Sequence, residues 1–245
     1  MNQRILALAA CIWLGVPAGH SPAATLATEE VPPEFEAIYE VRKGNIIVGE
    51  MMLSLRKHED TLVYESRTYP VGIAAFFLGS RVATYRTVLE RTQGTYRTIQ
   101  FRYEVQGNDK DRNEMYSFNW NTHRVHSRYK GRIATLEIEP HTFDRLSAQL
   151  LLMRKPQDGI HRYTCPVVTR GDIKEFVYQL KPSQPIETRL GTFSVYKYVR
   201  EKNDGKNTRY TEWYAESLNY IPVRSDKVSN GKTEISARIT EVRWL

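Results

Sequence analysis

The sequence predicts a mainly β fold: an antiparallel meander that forms a curved open sheet, a sandwich or a partly open barrel, with one central amphipathic helix over about 142–154. Three observations lead to this expectation. Apolar and polar residues alternate along most of the chain after residue 34, which is the pattern of half-buried strands. Turn residues of the hairpin type separate the alternating stretches. The stretch 142–154 instead carries apolar residues at helical spacing.

The N-terminus, residues 1–24, has the layout of a secretory signal peptide. Arg4 supplies a positive charge, and the 12 residues from Ile5 to Val16 carry none. Small residues around Ala23 and Ala24 then offer a cleavage zone. The apolar run is too short for a transmembrane helix, which needs about 20 residues. We therefore expect a cleaved signal and a periplasmic mature protein without a transmembrane span.

Cys11 offers a second interpretation of the same segment. The sequence from Leu8 to Cys11 resembles a lipobox, in which the cysteine becomes lipidated and anchors the mature protein. The apolar run continues past Cys11, however, and a cut there would leave a very short apolar region before it. A lipoprotein is therefore the less favoured alternative. Once Cys11 leaves with the signal, Cys165 has no disulfide partner, and its apolar neighbours favour a buried thiol over a reactive one.

Residues 25–34 are expected to form a flexible leader, and residues 35–245 a single β-rich domain. The first alternating stretch places Phe35, Tyr39 and Val41 on one face of a strand. A mature chain of about 220 residues is long enough to build a core without disulfides. Hairpin turns are expected at Lys43-Gly44-Asn45, Gln93-Gly94-Thr95, Gly107-Asn108-Asp109, Asn203-Asp204-Gly205 and Ser229-Asn230-Gly231.

The predicted helix over 142–154 presents Leu146, Leu150 and Met153 at helical spacing. We expect this apolar face to pack against the sheet. Polar residues at the start of the segment suit a helix cap, and the segment ends before Pro156. The residues given this structural role are Asp144, Arg145 and Ser147.

A second stretch, Val71 to Leu78, is apolar on every side and follows a predicted strand. Core packing is the favoured interpretation, as a buried helical turn. The alternative is an exposed apolar loop, and a large exposed apolar surface usually marks a contact site.

Charge and motifs exclude several classes of function. The net charge is +7 with an isoelectric point near 9.3, but both signs are mixed and no run of five like charges occurs, which argues against a nucleic-acid-binding arm. His123 and His126 are three apart on a predicted strand, so they face opposite sides and cannot share a metal. The sequence contains neither a nucleophile elbow nor a phosphate-binding glycine loop. We predict no catalytic residue, no metal and no cofactor.

Four segments, in order along the chain, carry a family resemblance: FEAIYEVRKGNIIVGE at 35–50, DRLSA at 144–148, ETRLG at 187–191 and WYAESLNYIPVR at 213–224. With these landmarks the chain resembles a bacterial envelope family known as domain of unknown function family 3108. The segments span nearly the whole mature chain. The resemblance implies an exported, β-rich protein and brings no activity and no catalytic residues.

Three functional hypotheses follow. The favoured one is a non-enzymatic envelope protein that binds an apolar or amphiphilic, lipid-like ligand, or docks on a membrane or protein partner. The second is an envelope assembly adaptor without a ligand cavity. The third is a hydrolase of envelope material with a polar cleft near Asp144 and His141. Under the first hypothesis the contact residues are Phe76, Phe77, Leu78 and Trp213.

Overall fold

The structure is a computed structural model that describes residues 25–79, 81–106, 113–202, 205 and 207–245. The signal-peptide prediction and its lipoprotein alternative at Cys11 concern residues 1–24 and lie outside the described residues. The described residues form one large sheet, a small two-stranded hairpin, two short α-helices and 3-10 helices at Thr28–Glu30 and Glu216–Leu218.

The first eight strands are β1 Phe35–Lys43, β2 Ile46–His58, β3 Thr61–Pro70, β4 Ala83–Thr92, β5 Thr95–Val105, β6 Glu114–Asn119, β7 Arg124–Tyr129 and β8 Arg132–Glu137. They are followed by β9 Phe143–Asp144, β10 Arg162–Thr169, β11 Asp172–Lys181, β12 Ile186–Thr188, β13 Gly191–Phe193, β14 Val195–Lys202, β15 Thr208–Ala215, β16 Ile221–Ser229 and β17 Lys232–Trp244. The helices are α1 Ile73–Leu78 and α2 Ser147–Leu150.

The large sheet has 15 strands in the order β8-β7-β6-β5-β4-β3-β2-β1-β17-β16-β15-β14-β11-β10-β9. Apart from the short parallel contact of β9 with β10, neighbours are antiparallel. Pairing of β1 with β17 joins the two ends of the domain, for example at Phe35 opposite Trp244. The prediction of an antiparallel meander in a curved sheet is confirmed, since β1–β8 form one arm of this sheet and β17–β14 with β11–β9 form the other.

The sheet curls strongly but its hydrogen-bonded ladder does not close. The edge strands β8 and β9 follow one another in the chain, with only residues 138–142 between them. Five linking residues span at most about 20 Å, so the two edges lie near each other. The turn between β10 and β11 confirms this approach: the backbone N–H of Gly171 donates to the Tyr116 hydroxyl on β6 at 3.2 Å.

Hairpin turns of the predicted kind produce the meander. Between β16 and β17, Asn230 and Gly231 have φ values of 49° and 74°. Two consecutive positive φ angles match the twist of the flanking strands in a two-residue hairpin, and Asn and Gly adopt them at low cost. The same pair of positive φ angles occurs at Gln93 and Gly94, between β4 and β5.

The predicted amphipathic helix over 142–154 is wrong in extent. Phe143 and Asp144 instead form the short strand β9, and only the four residues of α2 are α-helical. An amphipathic helix needs one polar face in water. Here the segment passes between the two arms of the sheet, and apolar residues on all sides of it are buried: Leu146, Ala148, Leu150, Leu151, Leu152 and Met153. Because the segment is buried on every side, its apolar residues do not indicate one face of an amphipathic helix.

Core packing of the Val71 to Leu78 stretch is also wrong. Three apolar residues of α1 are exposed: Ile73 at 67%, Phe76 at 85% and Phe77 at 77% relative accessibility. The rings of Phe76 and Phe77 contact each other edge to face, with centroids 5.3 Å apart. The helix connects β3 to β4 and projects from the end of the sheet, so the alternative of an exposed apolar surface holds.

Residues 25–34, expected as a flexible leader, pack against the sheet in the structure. Leu26 is buried, and its carbonyl accepts a hydrogen bond of 2.8 Å from the Tyr96 backbone N–H on β5. The guanidinium of Arg154 pairs with the Glu30 carboxylate. None of the helices in the described ranges has the length and apolarity that crossing a bilayer would require.

Candidate functional site

A cavity of about 290 Å³ lies between the two arms of the sheet. Its wall is mainly apolar and aromatic, with a few polar groups. The aromatic lining residues are Tyr39, Tyr85, Phe176, Tyr178, Tyr198 and Tyr210. The other lining residues are Met51, Leu53, Ser66, Arg145, Leu146, Gln149, Arg200, Glu212, Pro222, Ser225 and Ala237.

The period-two alternation of the strands places these side chains on the inner face. Tyr39 of β1 is paired with Met51 of β2, and both line the cavity. On the opposite arm, Arg200 of β14 is paired with Tyr210 of β15, again with both side chains in the wall. Cross-strand partners share a face of the sheet, so each such pair contributes two adjacent groups to the cavity.

A hydrogen-bonded network connects α2 with both arms at the bottom of the cavity. The Tyr64 hydroxyl on β3 donates to Gln149 Oε1 at 2.7 Å. Gln149 Nε2 donates in turn to Glu212 Oε1 at 2.5 Å. Glu212 also accepts from the hydroxyls of Tyr214 at 2.9 Å and Ser225 at 3.3 Å. The carboxylate therefore accepts three hydrogen bonds from neutral donors.

The tyrosines of this interior stay neutral. Burial raises the pKa of Tyr39, Tyr178 and Tyr214 well above the ordinary value, since a phenolate would lose its hydration there. Burial likewise raises the pKa of Tyr85 to about 12, and the positive charge of Arg145 opposes part of that rise. These tyrosines thus offer aromatic faces without phenolate charge at neutral pH, and the Tyr39 hydroxyl is already used as a donor to the Pro222 carbonyl at 2.7 Å.

Arg145 extends from the interior segment into the cavity wall, and its positive charge is paired with a buried carboxylate. Its Nη2 donates to Glu114 Oε1 at 2.9 Å, and Glu114 is buried on β6. The guanidinium carbon lies 5.3 Å from the ring centroid of Tyr85. Glu114 also accepts hydrogen bonds from the Tyr116 hydroxyl and the Arg170 backbone N–H. Arg145 therefore joins the interior segment to the first arm while remaining part of the cavity wall.

Arg200 reaches the cavity from the second arm. Its guanidinium carbon lies 4.0 Å from the ring centroid of Phe176 and 4.2 Å from that of Tyr210. Contacts at this distance hold a cation over the negative faces of aromatic rings. The arginine is half-buried and positioned by these two rings.

The polar start of the interior segment, predicted at Asp144, Arg145 and Ser147, lies within the core. Asp144 is fully buried, and its Oδ1 accepts from the backbone N–H groups of Leu146 and Ser147 at 2.7 and 3.1 Å. Ser147 Oγ accepts from the Asp144 backbone N–H at 3.0 Å. Asp144 is absent from the cavity wall and His141 is exposed, so the two do not form a polar cleft.

None of the four predicted contact residues is among the residues that line the cavity. Phe76 and Phe77 lie on α1, and Leu78 is the last residue of that helix. Trp213 lies on β15 between the inward-facing Glu212 and Tyr214, so it faces the outer side, where Arg224 stacks on it with 4.8 Å from Cζ to the ring centroid. Strand directions place α1 at the same end of the sheet as the β14–β15 connection, towards which Arg200 and Tyr210 lie.

The thiol and the histidines offer no separate reactive centre in the described part of the chain. Cys165 is buried, which raises its pKa to about 12 and keeps it a protonated thiol. His126 lies on β7, whereas His123 lies in the preceding turn with a φ of 50°. Across the described residues, no three histidine, cysteine or acidic side chains converge as a metal site would require.

Sequence reasoning missed the polar groups of the cavity wall. The local sequence around Arg200, Glu212 and Gln149 is that of an ordinary strand or helix, so it does not indicate that these side chains line a cavity. A signal was nevertheless present: Tyr210, Glu212 and Tyr214 alternate along β15, and a carboxylate among tyrosines on an inner face needs partners.

Comparisons with known proteins describe relatives without an assigned activity. No curated protein matches the chain significantly. Among solved structures, the chain is similar to a Bacteroides fragilis NCTC 9343 protein with a YmcC-like fold that is thought to be exported. That match has 9% sequence identity and a TM-score of 0.35, and covers 90% of this chain and 99% of the other. The family model described as protein of unknown function DUF3108 matches residues 37–238, which is most of the chain. The chain therefore belongs to the DUF3108 family.

Proposed function

We propose that this protein is an exported periplasmic protein that binds an apolar or amphiphilic ligand in the cavity between the two arms of its sheet, without catalysing a reaction. The observation that carries the proposal is the cavity itself, about 290 Å³ with a mainly apolar wall that includes six aromatic side chains. Pockets for small molecules have this character and begin at about 300 Å³. The size suits one alkyl chain better than a bulky ligand.

Three features of the chain support this function. The segment 1–24 has the layout of an export signal, and residues 35–245 form the proposed single domain. The buried tyrosines of the wall stay neutral, so they present aromatic surface to a ligand without adding charge. The carboxylates of Asp144 and Glu114 are committed to structural hydrogen bonds, which argues against the hydrolase alternative.

The test is to identify what the purified protein carries. The full chain is expressed with its own leader in a bacterium, and native mass spectrometry and solvent extraction are applied to the material from the periplasm. A bound amphiphile that is released on denaturation is the expected result. Protein that is consistently empty and binds none of a panel of alkyl ligands would overturn the proposal.

A matched pair of variants separates cavity binding from surface binding. Ser66→Leu adds volume to the cavity wall, where Ser66 is buried on the inner face of β3. Ser117→Leu makes the same change on the exposed face of β6. The first variant should lose the bound molecule and the second should retain it, with both melting cooperatively.

The exposed surface of α1 favours docking on a membrane as a second function. Phe76, Phe77 and Ile73 are all exposed there, as is Ile46 on the adjacent β2. Large apolar side chains clustered on a surface usually mark a contact site. Docking at this end of the sheet would bring Arg200 and Tyr210 towards the bilayer, so the two functions are compatible.

A further inference from the structure

Arg200 differs from the other arginine of the cavity in its partners. Arg145 pairs with Glu114 at 2.9 Å, so its charge is compensated by a buried carboxylate. Within the described part of the chain, no carboxylate lies within ion-pair distance of Arg200, and aromatic rings are its only close partners. Its five N–H donors therefore have no protein acceptor among the described residues.

The carboxylate that shares the cavity wall with Arg200 is engaged by other groups. Glu212 is on β15, two positions from the cross-strand partner of Arg200, and it also lines the cavity. Its oxygens accept from Gln149, Tyr214 and Ser225. The cavity wall thus contains a carboxylate engaged by three neutral donors and, at Arg200, a guanidinium with no carboxylate partner among the described residues, whereas Arg145 lacks a partner only at its buried Nε.

The positive charge of Arg200 acts on the interior. Burial raises the pKa of Tyr178, and Arg200 opposes part of this rise because a nearby cation stabilises the phenolate. The same relationship holds for the buried thiol of Cys165. Glu212 and Asp144 act on the pKa of Tyr178 in the opposite sense, so an anion is stabilised where it lies close to Arg200 and away from these carboxylates.

We infer that Arg200 binds the anionic head group, carboxylate or phosphate, of a single-chain amphiphile whose alkyl chain lies against the aromatic wall of the cavity. This rests on the proposed function. The guanidinium is a planar fork that matches the two oxygens of a carboxylate or phosphate. Phe176 and Tyr210 hold the fork in place, which lowers the entropy cost of binding. Glu212 keeps its negative charge, but its oxygens are turned towards Gln149, Tyr214 and Ser225 rather than left open to a cationic head group.

The test compares head groups on one alkyl chain. Calorimetry measures binding of decanoate, decyl phosphate, decanol and decyltrimethylammonium to the full-length protein, below the micelle concentration of each. The anions should bind at least about tenfold more tightly than decanol, equivalent to about 1.4 kcal/mol. Decyltrimethylammonium should bind no better than decanol. The ratio of decanoate to decyl phosphate then identifies the preferred anion.

Substitutions at Arg200, with a control at Arg209, assign the preference to Arg200. Arg200→Gln should bring the affinities for anions and decanol within about threefold of each other while decanol binding persists. Arg209→Gln is the matched control, because Arg209 is on the outer face of the adjacent strand and pairs with Glu201. If Arg200→Gln fails to fold, Arg200→Lys keeps the charge but loses the planar fork, and should weaken the preference.

The outcomes separate this inference from the proposed function. Equal binding of decanoate and decanol by the wild type overturns the inference and leaves cavity binding intact. Binding of none of the four ligands overturns both. Binding of inorganic phosphate alone is measured last. An affinity equal to that of decyl phosphate would show a site for small anions and overturn the inference that the ligand is an amphiphile.

Discussion

The Thr87 hydroxyl donates a hydrogen bond of 2.7 Å to the Asp144 carboxylate and so joins the interior segment to β4. Thr98 on β5 donates to the same oxygen at 3.1 Å, and two backbone N–H groups saturate the other oxygen. The carboxylate is fully buried, and no cation among the described residues pairs with it. Four protein donors thus replace its water shell and fix the interior segment against the first arm.

Asp144→Ala should lower the free energy of unfolding by about 3 kcal/mol or more, because it leaves buried donors without an acceptor. Urea unfolding at neutral pH measures the change. Asp60→Ala is the control: Asp60 is 76% exposed and pairs with the exposed Arg91, so its loss should cost less than about 1 kcal/mol. Equal costs for the two variants would contradict the anchoring role of Asp144.

The pair of Arg145 and Glu114 predicts a strong coupling. Arg145→Met should destabilise the protein by about 3–5 kcal/mol, since it leaves a buried carboxylate without its cation. Adding Glu114→Gln should recover part of that loss. The double-mutant cycle measures the coupling energy, and the half-exposed pair of Arg97 and Glu90 gives the comparison, expected below about 1 kcal/mol. Strict additivity at Arg145 and Glu114 would refute the prediction.

Local signals explain which parts of the fold were predictable. Alternation identifies strands because one face of the sheet is wet, and Asn230-Gly231 identifies a hairpin because few residues tolerate two positive φ angles. The pairing of Phe35 with Trp244 joins strands from opposite ends of the chain. No local pattern specifies such a long-range contact. The sequence therefore does not distinguish a curved open sheet from a sandwich or a partly open barrel.

The errors have a common physical origin. Helical spacing was assigned to 142–154 on the assumption of one buried face, but Leu150 to Met153 are buried on all sides between the arms. Conversely, the apolar composition around Phe76 and Phe77 favours core packing, yet both side chains are exposed, as the alternative of a contact surface requires. Hydrophobic periodicity predicts secondary structure when one face of a segment is buried and the other is solvated. The prediction fails for a segment that is buried on all sides, and for one whose apolar side chains are exposed. The roles of Arg200 and Glu212 depend on partners that no single segment contains.

Removing the aromatic pair of α1 should weaken membrane association without weakening the fold. Because both rings are exposed, Phe76→Ser with Phe77→Ser should change the free energy of unfolding by less than about 0.5 kcal/mol. Each ring that enters a bilayer contributes about 1.5 kcal/mol or more, so the double variant should bind vesicles at least about tenfold less tightly. Sedimentation with vesicles of phosphatidylethanolamine and phosphatidylglycerol measures this.

Ile133 provides the control for α1. It is 80% exposed on the edge strand β8, so Ile133→Ser removes a comparable apolar side chain elsewhere on the surface. Vesicle binding by Ile133→Ser should match the wild type. If the α1 variant also matched the wild type, membrane contact through α1 would be excluded.

Alkaline pH should destabilise the fold, with the buried thiol as one measurable source. Burial raises the pKa of Cys165 from an ordinary 9.0 to about 12, so between these values the unfolded chain releases a proton that the folded chain retains. The stability that this group contributes is complete below pH 9 and is lost as pH rises towards 12. The thiol alone accounts for about 2–3 kcal/mol between pH 9 and 11. The buried tyrosines act in the same direction.

Urea unfolding at pH 7, 9 and 11 tests this, with Cys165→Val as the matched variant. The free energy of unfolding of the wild type should fall steeply above pH 9. That of the variant should fall less steeply, because only the buried tyrosines then contribute to the pH dependence. Alkylation gives an independent readout, because the native thiol should react far more slowly at pH 8 than the thiol of the urea-unfolded chain. Identical pH slopes for wild type and variant would show that Cys165 ionises as freely in the folded protein as in the unfolded chain.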